Sequence, residues 1–362
     1  MGRSLRATPG AVLLSAPSPA RRDVVKSAVR ISWLAIATTV LSIGCSARVG
    51  MTLEPASTSG ICNAFQPATT EGRWLGPSDP ESRKHLDSWC AAVGPAVVHD
   101  PGAARPVRTD GPVVVVSWNM AVGKGDLLTL LDELRRTHPG ADMILLLQEA
   151  YRSEMPPSVC APGSGRAKAI GQPRPPRHED LTLVAKRASM YLVYAPSMRN
   201  GRDCAAEPRE DRGNAILSTL PLSDVAIIEL PFAQQRRAAV AARVQLGGRT
   251  VGLVSTHFDT RRGHGAAAAA LVQSVALLGW RSSVVIAGDF NSFLPFDRGV
   301  RQMKDHFTEV DCGDGPTHEN GARLDHIFIG RQDAPFPCRT GADWFGSDHS
   351  PLIAVLSKDI RQ

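Results

Sequence analysis

Val284-Val285-Ile286-Ala287-Gly288-Asp289-Phe290-Asn291 is a short apolar run, broken by a glycine, that ends in an acid and an amide. Apolar runs bounded by turn signals read as buried strands. Asp289 and Asn291 therefore stand at the end of a strand. The same arrangement recurs along the chain. Asn119 ends the run 113–118, Glu149 ends 143–148, and His257 follows 251–256. Asp325 lies in Arg323-Leu324-Asp325-His326-Ile327-Phe328-Ile329, and Asp348-His349 lie in Trp344-Phe345-Gly346-Ser347-Asp348-His349-Ser350-Pro351. Further strands are expected at 191–194, 214–218, 225–230, 239–246, 250–255, 325–329 and 352–356, with Gly247-Gly248 as a hairpin signal. Leu127, Leu128, Leu131 and Leu134 give 125–137 the spacing of a helix, and 266–278 is helical by composition. Residues 181–187 read either way, and the polar, Pro- and Arg-rich stretch 152–180 reads as a surface loop. Strands alternating with helices define an α/β chain, and acids, amides and histidines at strand ends are how an open sheet presents a metal-dependent site.

A chain of 362 residues can bury a sizeable core as one large domain or two small ones. Its net charge of +6 is mostly in the leader, where six basic residues within 1–45 face one acid. The body is close to neutral, so it carries no net electrostatic footprint for nucleic acid. Arg21-Arg22-Asp23-Val24-Val25-Lys26 is similar to a twin-arginine export signal, and the apolar stretch 31–44 fits a signal core rather than a transmembrane helix. It ends at Ile43-Gly44-Cys45-Ser46, which is similar to a lipoprotein processing site except that Ser42 stands where leucine is usual. The expectation is an exported protein of the cell envelope or exterior, with a lipid anchor at Cys45, or else an ordinary cleaved signal or an uncleaved anchor. Six cysteines remain, an even set that suggests disulfides after export. Nearest-neighbour pairing (62–90, 160–204, 312–338) is expected, because each pair brackets a loop-like stretch. Six buried thiols are the alternative, and the spacings match no zinc site. Residues 46–111, rich in Ala, Pro, Ser, Thr and Gly, read as a tether and loosely structured extension. The folded domain is expected over 112–358.

The strand-end set suits phosphate-ester hydrolysis. That reaction needs a cation on the phosphoryl oxygens, an oriented and deprotonated water, and a proton or positive charge at the leaving oxygen. Mg²⁺ prefers carboxylate oxygens and retains waters, so one or two acids suffice to hold it. Glu149 and Asp348 are suitable ligands, and Asn119 and Asn291 can ligate or position phosphate without adding charge. Asp289 can take the proton of the water. His349, oriented by Asp325, can meet the phosphate as imidazolium or shuttle protons, and His257 is a second candidate acid. Taken singly, each has a plain reading: Asn119 as a turn residue, Asp289 as a cap, Asp348-His349 as a capped turn. The ordered set is much harder to produce by chance.

On these residues the chain resembles the endonuclease/exonuclease/phosphatase superfamily, which includes deoxyribonuclease I, exonuclease III-type abasic endonucleases, neutral sphingomyelinases and inositol polyphosphate 5-phosphatases. The resemblance covers about residues 112–358. It rests on Ser117-Trp118-Asn119, Gln148-Glu149, Arg212-Gly213-Asn214-Ala215-Ile216-Leu217-Ser218, Ser255-Thr256-His257-Phe258, Gly288-Asp289-Phe290-Asn291, Arg323-Leu324-Asp325-His326-Ile327 and Ser347-Asp348-His349-Ser350-Pro351, all in the family's order. It implies a deoxyribonuclease I-like four-layer sandwich of two mixed β-sheets flanked by helices, and dependence on Mg²⁺ or Mn²⁺. It implies Glu149 as main metal ligand with Asn119 and Asp348 near the metal, Asp289 orienting or activating water with help from Asn291, and Asp325 paired with His349 on the scissile phosphate. His257 matches the second histidine of the deoxyribonuclease I and sphingomyelinase branches. His326 departs from the pattern, since an aromatic such as tyrosine is common there.

Fold does not fix substrate. Nucleic acid, a phospholipid and a small phosphoester all remain open, with a lean toward phosphodiesters and no obligate protein partner evident. Arg199, Arg202, Arg209, Arg212, Arg236, Arg237, Arg261 and Arg262 read equally as phosphate-binding loops or solvated surface. Phe293-Leu294-Pro295-Phe296 reads as loop core, and otherwise as an apolar face for lipid. Two further alternatives are a non-catalytic surface binding module on the same fold and a toxin-like nuclease subunit. Complete retention of Glu149, Asp289, Asn291, Asp325, Asp348 and His349 argues against the first, and the second would need a translocating partner, of which the sequence shows no sign.

Overall fold

The computed structural model describes residues 50–55, 64–90, 92–102, 111–153, 179–200, 210–294 and 296–356. In chain order the strands are β1 (Met51–Pro55), β2 (Phe65–Gln66), β3 (Arg73–Pro77), β4 (Ala96–His99), β5 (Val113–Asn119), β6 (Asp142–Arg152), β7 (Tyr191–Asn200) and β8 (Glu210–Ser218). They continue with β9 (Ser223–Glu229), β10 (Ala238–Leu246), β11 (Arg249–His257), β12 (Val284–Asp289), β13 (Thr308–Glu309), β14 (Asp325–Ile329), β15 (Cys338–Thr340) and β16 (Leu352–Leu356). The helices are α1 (Pro80–Cys90), α2 (Leu127–Thr137), α3 (Leu181–Ala188), α4 (His264–Leu277) and α5 (Arg298–His306).

Two eight-stranded mixed sheets result, ordered β1-β3-β9-β10-β11-β12-β14-β13 and β15-β16-β5-β6-β8-β7-β4-β2. Strand periodicity explains how they stack. In β5, Val113 and Val115 pack against the opposite sheet, in a core with Val240, Leu253, Val285 and Ile327. Val114, Val116 and Trp118 of the same strand point the other way, onto Leu127, Leu130, Leu131 and Leu134 of α2. The outer face of the other sheet is covered in the same way by α4 and α5. Strands covered on both faces must be apolar at every position, which is why these runs show no alternation. The expected four layers are therefore present. Asp180, expected within a loop, caps α3 by accepting from Thr182 N and Leu183 N, which decides the ambiguous 181–187 for helix.

The extension 46–111 corrects the reading of that stretch as a tether. β3 lies parallel to β9 and β1 antiparallel to β3, which adds two strands to one sheet. β4 lies antiparallel to β7 and β2 parallel to β4, which adds two to the other. Trp74 and Phe65 enter the inter-sheet core with their rings 5.9 Å apart. These strands are two to five residues long and α1 buries only Trp89 and Cys90, so local periodicity carries almost no signal. Trp74→Ala is expected to cost about 3 kcal/mol in urea denaturation, the usual loss for a buried aromatic. A true tether would leave the midpoint unmoved.

Of the expected disulfides, Cys312–Cys338 is present. Cys90 is also disulfide-bonded. Cys62, Cys160, Cys204, the export segment and Cys45 lie outside the described residues. Among the described residues no helix is long and apolar enough to cross a membrane.

Candidate active site

The polar residues that end the apolar runs meet at one edge of the two sheets. Parallel pairing of β5 with β6 sets Asn119 beside Gln148. Parallel pairing of β11 with β12 sets His257 beside Asp289, and antiparallel pairing of β12 with β14 sets Asp289 opposite Asp325. A Cβ on Gly288 would stand 1.8 Å from Thr256 O, so only glycine lets β12 approach β11 this closely. Glu149 sits where the β6–β8 register slips between Leu147 and Ala150, with φ at 49°. The bulge turns Glu149 out of the ladder while its neighbour Gln148 stays buried and donates to Ser255 Oγ (3.1 Å). Asn291 takes φ 50°, a left-handed conformation that asparagine tolerates.

Asp289 is the hub. Its Oδ2 accepts from Asn119 Nδ2 at 3.0 Å and faces His257 Nε2 at 3.3 Å and His349 Nε2 at 3.7 Å. Its Oδ1 accepts from Asn291 N at 2.8 Å. Burial pushes its carboxyl up to about 6, Asp325 adds to the rise, and the His349 charge opposes it. His349 Nδ1 meets Asp325 Oδ2 at 2.8 Å. Burial alone would lower the imidazole, but Asp325, Asp289 and Asp348 outweigh it and raise it to about 10. The backbone of this residue is anchored too: Trp118 Nε1 donates to His349 O, and Ser347 Oγ donates to Asn119 O while accepting from His349 N. His257 is opposite in character. Burial, then the Arg237 charge, then His349 and Arg212 hold it well below the usual imidazole range. Two histidines on one carboxylate are thus a cation and a neutral ring.

The arrangement brings together Asn119, His257, Asp289, Asn291, Asp325 and His349 by direct contact or adjacent strand ends. Glu149 and Asp348 are half-buried, Glu149 within β6 next to Gln148, the residue paired with Asn119, and Asp348 next to Ser347, which donates to the Asn119 carbonyl. The Asn119 Oδ1 accepts from Ala121 N and keeps a second lone pair. Two carboxylates and an amide oxygen are hard donors, a set that fits Mg²⁺ or Mn²⁺ better than a soft metal. His318, Asp348 and His349 each offer a donor atom within 4.8 Å of the others, the one such His/Cys/Asp/Glu grouping among the described residues. Glu149 stands outside it. His318 escaped the sequence reading: it lies in Thr317-His318-Glu319-Asn320-Gly321, a turn-like stretch without an apolar run, yet its ring sits edge-on to His349 at 4.6 Å.

Several arginines expected at the surface are buried. Arg236 is locked to Glu229 through Nη2–Oε1 (2.5 Å) and Nε–Oε2 (3.1 Å), and Arg199, Arg212 and Arg237 are also buried. Arg261 and Arg262 are exposed, and Arg202 and Arg209 lie outside the described residues. The loop-core reading of 293–296 also fails: Phe293, Leu294 and Phe296 are 49, 55 and 61% exposed.

His326, the departure from the family pattern, faces Ser292 Oγ through Nε2 (2.7 Å) and Glu309 Oε1 through Nδ1 (2.6 Å). It ties the turn after Asn291 to β13. Burial would raise Glu309, but His326 and Lys304 bring it from its ordinary 4.5 down to about 2. A depressed carboxyl stabilises the fold fully above its unfolded value and ceases to do so as pH falls through the folded one. Glu309→Gln is therefore expected to cost on the order of 2 kcal/mol at pH 7, shrinking between pH 4.5 and 2, in denaturant melts run across that range.

The fold and this strand-end constellation define a hydrolase of the phosphoesterase class. A model described as Endonuclease/Exonuclease/phosphatase family matches residues 116–349, and the chain belongs to that family. An endonuclease/exonuclease/phosphatase from Beutenbergia cavernae is 19% identical with a TM-score of 0.50, over 68% of this chain and 72% of that one, which shows the shared fold. The human Nocturnin catalytic domain with bound sulfate is 18% identical with a TM-score of 0.49, over 70% of this chain and 99% of that one. Sphingomyelinase C from Streptomyces griseocarneus is 16% identical with a TM-score of 0.40, over 68% and 99%. Among curated proteins nothing matches.

Proposed function

We propose that the chain is a divalent-metal-dependent phosphoesterase that hydrolyses phosphodiesters by in-line attack of water. The observation that carries this reading is the convergence of His257 and His349 on the one buried carboxylate of Asp289, with Asp325 behind His349. Asp289, ionised above about pH 6, takes the proton of the attacking water as its oxygen bonds to phosphorus. The bond from phosphorus to the leaving oxygen breaks, and His349 Nε2–H supplies the proton or the positive charge that this oxygen needs. Asn119 and the backbone N–H of Asn291 hold the Asp289 carboxylate in one orientation. Glu149, Asp348 and the Asn119 amide oxygen would hold Mg²⁺ or Mn²⁺, which when bound neutralises charge on the phosphoryl oxygens. The exposed Phe293, Leu294 and Phe296, immediately after Asn291, favour a lipid phosphodiester as the second reading of the substrate.

The test is hydrolysis of supercoiled plasmid, bis(p-nitrophenyl) phosphate, p-nitrophenyl phosphate and sphingomyelin vesicles, beside His349→Ala and EDTA controls. At least one diester should be cleaved by wild type, with loss of on the order of 10²–10⁴-fold in the variant and loss of activity in EDTA. Monoester cleavage alone would overturn the diester assignment. Inertness toward all four, with the fold intact, would leave a binding module.

A further inference from the structure

Arg236 and Arg237 are neighbours with opposite fates. Arg236 spends its guanidinium on Glu229 and on Pro196 O (2.8 Å). Arg237 is only 5% exposed, yet among the described residues it has no carboxylate within ion-pair distance, and its buried Nε has no hydrogen-bond partner. Its one polar contact is Nη1 to His257 Nδ1 at 3.1 Å. Burying a charge without a counter-ion is costly, and such a group persists where an anion completes it. Burial lowers Arg237, and the charges of Glu149, Asp259 and Asp289 oppose that while Arg212 adds to it, so its guanidinium lies within the field of the proposed reaction centre.

The contact with His257 has a second consequence. A guanidinium has no acceptor, so His257 Nδ1 must accept and cannot carry a proton. The ring proton then sits on Nε2, the nitrogen that lies 3.3 Å from Asp289 Oδ2. A protonated His257 would set N–H against N–H. The ring is then uncharged, with its one N–H on the side of Asp289.

Resting on the phosphoesterase reading, we propose that Arg237 is a ligand for the substrate phosphate that also fixes His257 as the uncharged, Nε2-protonated tautomer.

Two measurements that need no turnover test this on the full chain. Long-range ¹H–¹⁵N correlation on histidine-labelled protein, with His257 assigned by its loss in His257→Gln, should show Nε2–H and bare Nδ1 in wild type at neutral pH. An Nδ1–H tautomer or an imidazolium would overturn the proposal. Calorimetric titration with inorganic phosphate in EDTA should show affinity reduced about 10-fold or more in Arg237→Gln, with partial recovery in Arg237→Lys, the expected size for one charge-assisted hydrogen bond. Equal affinity in wild type and both variants would overturn it, and Arg237→Lys keeps the test usable if the glutamine variant does not fold. On a cleaved diester, Arg237→Gln should raise KM more than it lowers kcat. Inertness of the wild type would count against the phosphoesterase reading, whereas the tautomer and phosphate results stand apart from it.

Discussion

Asp289→Asn lowers kcat by on the order of 10³-fold or more at pH 8, measured on whichever diester the wild type cleaves. The substitution keeps the size of the side chain and removes the carboxylate proposed to accept the water's proton. It also leaves Asn119 Nδ2 and the backbone N–H of Asn291, which donate to different oxygens of Asp289, aimed at an amide that accepts through one atom. The pH profile gives a second signature. Burial, reinforced by Asp325, puts the Asp289 carboxyl at about 6, so wild-type activity falls as pH falls through that value. The residual activity of the variant should lack this acid limb. A variant that kept the limb, or lost less than tenfold, would show that another group takes the proton.

Asp325→Asn is the second large effect. The carboxylate is fully buried and holds His349 Nδ1 at 2.8 Å. Without that charge, burial becomes the dominant influence on His349 and drives it from about 10 toward the neutral form at pH 7. The expected loss in kcat is on the order of 10²–10⁴-fold, the range for a displaced acid. Both limbs should move. The basic limb falls from near pH 10 because His349 loses its partner, and the acid limb rises from near pH 6 because a neutral His349 no longer holds Asp289 down, which outweighs the loss of the Asp325 charge. A uniform drop in rate with an unshifted profile would mean that Asp325 serves packing alone.

Much of the site was readable because a strand is a local object. The runs ending at Asn119, Glu149, His257 and Asp289 are buried toward their ends, so apolar residues dominate them, and the buried Ser117, Gln148, Ser255 and Thr256 are polar only in the last positions before the rim. The strand at Asp325–Ile329 and that at Leu352–Leu356 fall where the residues place them. By contrast, α5 (Arg298–His306) was invisible, because it buries only Gly299, Val300 and Met303. Asp297 caps it by accepting from Gly299 N and Val300 N, a signal that could have located it.

The sequence by itself determined the class of fold, the strand-end set of acids, amides and histidines, and the family. Tertiary structure decided the rest. It brought Arg73–Leu75 alongside Ala226–Ile228 and turned an expected tether into part of both sheets. It set His318 against His349, paired Arg236 with Glu229, and left Arg237 facing His257 with no carboxylate at ion-pair distance among the described residues. The physical reason is one of range. Periodicity records which residues are buried, and it acts over a few positions. Which buried charge finds a partner depends on strands far apart in the chain, and no local pattern encodes that.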